Sequence, residues 1–127
     1  TRNPKPETCY LIWQKPYMTI GSDTFIHSML QAAGFNNIFA NKKRYPEVTV
    51  TVLRTINLPA GRQGCELLFL SSEPFPFQQK HIDELQTQLP NTKIVLVDGE
   101  IFSWYGSRLL KAPAYFKNLQ SAINNRP

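Results

Sequence analysis

Histidine and cysteine occur only twice each among 127 residues, and glycine only six times. Cys9, Cys65, His27 and His81 lie far apart, so no CxxC pair and no metal-ligand spacing exists. The two thiols admit either a cross-link or two buried apolar side chains. No apolar run approaches the roughly 18 residues of a membrane span, and the opening TRNPKPET carries no hydrophobic secretion segment, so the chain reads as soluble. The scarce glycines form neither a Walker A loop nor G-x-G-x-x-G, which removes the common phosphate cradles. There is no G-x-S-x-G elbow, no RNP signature of an RNA-binding sheet, no repeat and no low-complexity tract.

What remains is ordinary globular material. Hydrophobic residues make up 42% and charged residues 18%, enough apolar surface to offset the entropy of ordering. A chain of 14.6 kDa carries one core, hence one domain. The net charge of +5 favours anionic ligands or acidic partners. Its densest cluster, Lys42-Lys43-Arg44, reads as a solvated loop.

Apolar runs at Cys9–Trp13 (CYLIW), Glu66–Leu70 (ELLFL) and Lys93–Val97 read as strands buried on both faces. Helical spacing predicts a helix from Thr24 to Ala33, capped by Ser22 or Asp23 and stopped by Gly34. A second runs from Gln78 to Leu89, ended by Pro90, and a third from about Ser107 to Ile123, restarted or kinked at Pro113. Residues 35–47 carry turn formers and Tyr45-Pro46, and read as a loop. VTVTVLRTI alternates like a strand, yet Val48, Val52 and Ile56 also share a helical face, so both readings stand. NLPAGRQG reads as an exposed connector.

Strands separated by helices give an α/β fold, a small parallel sheet with helices on both faces. In such a sheet every strand-to-helix loop leaves at the carboxyl edge. Here those loops are PYMTIGSD, SSEPFPF and DGEIFSWYGSR, which gather Tyr17, Met18, Phe75, Phe77, Phe102, Trp104 and Tyr105 on one rim. So much ring surface on one edge points to an aromatic binding wall. Phe77 and Phe102 also suit a place under their loops in the core.

For catalysis, Ser71, Ser72, His27, His81, Asp98 and Glu100 supply the residue types of a triad without any motif. His27 and His81 fall within helices, and Asp98-Gly99 is a common turn opener, so a non-enzymatic reading is preferred. An α/β enzyme using Ser72 or Asp98, or a basic nucleic-acid-binding module, is the alternative; no nucleic acid is expected.

SSEPFPF, followed after one strand by VDGEIFSWYGSRLLKAP, resembles the C-terminal lobe of substrate-binding proteins of ABC importers for metal chelates. The group is the helical backbone metal receptors, of the cobalamin- and iron-siderophore-binding type. FIHSMLQAAGFNNIFANKKRYPEVT extends the likeness over nearly the whole chain.

The resemblance implies that residues 1–127 are one such lobe, half of a class III periplasmic-binding-protein-like fold, with the N-terminal lobe, signal sequence and connecting helix outside this chain. It implies a periplasmic or extracytoplasmic setting and a permease partner. It also implies no intrinsic cofactor, and a ligand such as cobalamin or a ferric siderophore. Tyr45 matches an aromatic that lies against the ligand in cobalamin binders, and Trp104 and Tyr105 match a cleft-facing loop. The ligand-contacting set is then Tyr17, Tyr45, Phe75, Trp104 and Tyr105, with Arg108 and the amides around Ser71, Ser72 and Gly106 meeting anionic or carbonyl groups. A permease-docking Glu is replaced by Thr51. LPAGRQG adds about seven residues where relatives have a short turn.

Overall fold

The computed structural model describes residues 5–58, 61–103 and 112–124, apart from the side chains of Ala112 and Asn124. Its elements are β1 (Glu7–Leu11), β2 (Tyr17–Met18), α1 (Phe25–Ala32), β3 (Asn36–Asn37), β4 (Glu47–Val48) and α2 (Val50–Thr55). They continue as β5 (Leu67–Ser71), α3 (Gln79–Gln88), β6 (Lys93–Val97), α4 (Gly99–Ser103) and α5 (Ala112–Asn124). A parallel sheet orders β3-β1-β5-β6, and β2 pairs antiparallel with β4 in a small separate ladder.

The register explains why β1 and β5 are apolar throughout. Cys9 lies beside Leu68, Tyr10 beside Phe69 and Leu11 beside Leu70. Tyr10, Leu67 and Phe69 face α1, α4 and α5 together with Phe35, Phe102 and Phe116. Cys9, Leu11, Leu68 and Leu70 face α2 and α3 with Phe39, Leu53 and Leu85. Both sheet faces are therefore covered, the condition under which a strand carries no polar alternation. On β6, last in the order, Leu96 is 38% exposed.

Thr24, not Ser22 or Asp23, caps α1. Its side chain accepts from the His27 N–H at 3.1 Å and donates to Gly21 O at 2.9 Å. Asp23 is diverted to the Arg44 N–H. Thr24→Ala is expected to cost about 1–2 kcal/mol, read from the urea midpoint, with Thr24→Ser retaining most of it. After α1, Gly34 has a φ of +96°, a left-handed conformation that favours glycine.

Four expectations change. Residues 35–47 are not merely a loop: Asn36 N–H donates to Pro6 O and Ile38 N–H to Thr8 O, which adds β3 to the sheet. Buried Asn37 donates to Ile20 O. VTVTVLRTI resolves as strand β4 followed by helix α2, capped by Thr49 through the Val52 N–H. The helix buries Leu53, while Val52, on the helical face read from spacing, is 39% exposed. The first strand starts and ends earlier than Cys9–Trp13, because Trp13 already turns back to bridge Met18. After β6 the chain enters α4 at once, capped by Asp98 Oδ1 on the Glu100 and Ile101 N–H groups.

Helix α3 matches the expected Gln78–Leu89, those residues being its caps. Pro113 lies in the first turn of α5, where its missing N–H has no intrahelical role. Cys9 and Cys65 are free buried thiols, with burial pushing the Cys65 thiol up to about 12. Among the described residues no helix is long and apolar enough to cross a membrane.

Candidate functional site

The carboxyl edge of the sheet is built from four connections. The SSEPFPF loop is tied to the end of β1 by Phe75 N–H donating to Ile12 O at 3.2 Å, and to β6 by Ser72 N–H donating to Val97 O at 3.1 Å. The β2–β4 ladder stands beside it, with Thr19 N–H donating to Pro46 O and Gly21 N–H to Arg44 O. That ladder sets the Tyr17 and Tyr45 segments side by side. The Asp98 N–H donates to the Tyr115 hydroxyl at 2.9 Å, which ties the turn after β6 to α5.

Between these loops lies a cavity of about 390 Å³, lined by Ile12, Phe25, Ile26, Tyr45, Pro74 and Ser103. It joins the end of β1, the first turn of α1 and the end of α4. Tyr45 is 49% exposed, so its ring lies on the cavity wall and not in the core. The Arg44 N–H, at 2.6 Å from Asp23 Oδ1, holds the Asp23 carboxyl below its usual range and fixes the loop that carries Tyr45. The Arg44 guanidinium adds an ion pair at 3.5 Å.

A second ring group adjoins. Trp13, 40% exposed, packs edge-on against Phe75 with centroids 5.5 Å apart. Phe75 rests in turn on Phe77 at 4.8 Å and on buried His81 at 5.3 Å. His81 Nδ1 accepts from the Gln78 N–H at 2.8 Å, which locks the imidazole under the ring stack. Tyr17 is half-buried toward α3, and burial, with Glu84 second, raises its phenol pKa.

The predicted rim thus divides. Tyr45 and Phe75 reach the edge from loops meeting at Pro74, and Tyr17 lies on the α2–α3 side. Phe77 and Phe102 are core residues, 5% and 0% exposed. Met18 packs partly buried against the core. Trp104, Tyr105, Gly106 and Arg108 lie outside the described residues. Trp13 was missed, because CYLIW reads as one buried run; the QKP turn directly after it was the available signal.

The catalytic candidates hold the edge together. Ser71 Oγ donates to Glu73 O and accepts from the Tyr10 hydroxyl, and Ser72 Oγ accepts from the Gly99 N–H. Asp98 caps α4, His81 is spent on Gln78, and His27 Nδ1 lies 3.2 Å from Asn37 Nδ2. Neither imidazole is paired with a serine among the described residues. Among the described residues no cluster of three metal-ligating side chains occurs.

No protein-family model matches the sequence, and no curated protein is significantly similar to it. Solved structures do match in fold. One is a possible iron-binding (periplasmic solute-binding) protein of Staphylococcus epidermidis ATCC 12228, at 19% identity and a TM-score of 0.66, covering 97% of this chain and 46% of that one. The periplasmic heme-binding protein HutB of Vibrio cholerae has 15% identity and a TM-score of 0.66, over 97% of this chain and 48% of that one. The periplasmic vitamin B12 binding protein BtuF of Vibrio cholerae has 16% identity and a TM-score of 0.64, over 98% and 47%. The fold is that of a class III periplasmic binding-protein lobe. The chain spans about half the length of the structures it matches, 46–48% in these three. In this lobe fold, the 390 Å³ cavity opens on the carboxyl edge, where loops rather than strands set the chemistry.

Proposed function

We propose that the chain is the C-terminal lobe of an extracytoplasmic substrate-binding protein that delivers a metal chelate to an ABC importer permease. The single observation that carries this is the apolar cavity at the carboxyl edge with Tyr45 exposed on its wall. The matched structures are described as binding iron, heme and vitamin B12, all bulky metal-centred cargoes or their metal, which supports the ligand class. The chemistry is capture, not catalysis. Tyr45, Trp13 and Phe75 supply flat apolar contact, Trp104, Tyr105 and Arg108 extend it, and Tyr17 stiffens the ladder behind Tyr45. Corrinoids and ferric siderophores are the primary ligand classes, and heme joins them on the strength of the matched structures. The other half of the pocket belongs to an N-terminal lobe, and Thr51, exposed on α2, occupies the position of the usual docking carboxylate.

Calorimetric titration of the two-lobed protein with cyanocobalamin, a ferric hydroxamate siderophore and hemin tests the reading. One of the three is expected to bind saturably. Tyr45→Ala and Trp13→Ala are each expected to weaken that ligand about tenfold, the size of a central aromatic contact. Saturation by none of them, or parental affinity retained in both variants, sinks the assignment.

A further inference from the structure

The pole opposite the aromatic edge carries its own cavity, of about 300 Å³. Its walls come from the end of α2, the loop before β5 and the turn before β6, and include Arg54, Arg62, Gln63, Glu66, Asn91 and Thr92. With β5 five residues long, at about 3.3 Å per residue, roughly 16 Å of sheet separates the two cavities. They are distinct sites.

The walls are built rather than loosely draped. Leu58 N–H donates to Arg62 O at 2.7 Å, Gly64 N–H to Ile56 O at 2.8 Å and Cys65 N–H to Leu53 O at 2.8 Å. Gly64 has a φ of +87°, and a Cβ there would stand 2.9 Å from Arg54 O, so only glycine lets the loop close on α2. On the far wall, Gln86 Nε2 donates to Leu89 O and Thr92 O, and Thr92 Oγ1 donates to Cys65 O at 2.8 Å. The segment read from sequence as a bare connector thus sets two donors, Arg62 and Gln63, at the mouth of a preformed hollow.

The charge balance identifies what the hollow prefers. Glu66 is its one carboxylate among the lining residues, and both of its oxygens are engaged: Oε1 accepts from the Glu7 N–H at 2.8 Å and Oε2 from Arg62. That contact occupies one of the guanidinium's five N–H donors and holds the planar fork in place. Arg54 makes one long contact of 3.5 Å, with Gln88 O, so among the described residues most of its donor capacity is uncommitted. Two guanidinium groups against one neutralised carboxylate, joined by side-chain amides, match the oxygens of an anion.

We propose that this cavity is a second binding site, for a compact molecule bearing a carboxylate or phosphate group, independent of the chelate pocket. Because the arginines are solvent-exposed, binding is screened by salt and has a dissociation constant on the order of 1 mM for the simplest anions. The test is a titration of the 127-residue chain with inorganic phosphate and, separately, with malonate, at fixed ionic strength, followed by amide NMR shifts. Saturable shifts are expected at Gly64, Cys65 and Asn91, with none at Ile12 or Tyr45. Response to only one of the anions identifies phosphate or carboxylate as the group recognised. Arg54→Gln should weaken binding about tenfold or more, the scale of one charge-assisted hydrogen bond. Arg62→Gln should weaken it further by leaving the Glu66 carboxylate unopposed, and Arg54→Lys should restore part of the loss. Shifts that rise linearly without saturation, that spread over all lysines and arginines, or that persist unchanged in both glutamine variants overturn the site.

Discussion

Phe102→Ala is expected to remove about 3–5 kcal/mol of folding stability, the cost of deleting a buried ring whose cavity cannot fully collapse. Phe102 is fully buried and touches four other rings: Tyr10 at 5.1 Å, Phe116 at 5.0 Å, Phe69 at 6.3 Å and Tyr115 at 6.4 Å. These come from β1, β5 and α5, so one side chain joins the sheet to the helix on its face. A domain holds only about 5–15 kcal/mol in total, so the variant should lose a large share of it in urea unfolding followed by circular dichroism. Trp13→Ala is the matched control, since a ring already 40% exposed should cost distinctly less, about 1–2 kcal/mol. Equal midpoints for the two variants contradict this division into core ring and surface ring.

That division marks where the sequence was legible. β5 announced itself because a central parallel strand must be apolar on both faces, and β6, although at the edge, by its apolar run; both positions came out within one residue of expectation. Helices α1 and α3 were legible from spacing and from Gly34 and Pro90. β3 was not, since two asparagines carry no strand signal; its place is fixed by backbone bonds to Pro6 and Thr8, which lie some thirty residues back. The same holds for α2, whose β-branched residues favour a strand locally while the Thr49 cap and the burial of Leu53 decide for helix. For the candidate site, chain direction put the strand-to-helix loops on one edge, and Phe75 followed; Tyr45 came only through the resemblance. Phe77 and Phe102, the two rings read as suiting a place under their loops, do go under, while Phe75, two residues from Phe77, stays only partly buried. Sequence could not show that Trp13, at the end of an apolar run, comes out.

Gly21→Ala is expected to cost about 1–3 kcal/mol and, unlike the core variant, to act on the binding edge as well. Gly21 runs against the 42–46 loop, donating its N–H to Arg44 O at 2.8 Å, while Ser22 N–H donates to Lys42 O at 2.9 Å. A Cβ at Gly21 would stand 2.7 Å from both Lys42 C and Lys43 Cα, backbone atoms that no rotamer change can move. The glycine is therefore needed for space, and the loop must lift as a unit. Tyr45 follows directly, so the ring should leave the cavity wall while Trp13 and Phe75, anchored through Ile12 O and His81, stay in place. Under the chelate-binding reading, affinity should fall about tenfold, as for Tyr45→Ala, and the two changes together should cost little more than either alone. A Gly21→Ala protein within about 0.5 kcal/mol of the parent refutes the close approach itself. Lost stability with unchanged chelate affinity instead removes Tyr45 from the ligand's surroundings, and leaves the Trp13–Phe75 pair to carry the contact.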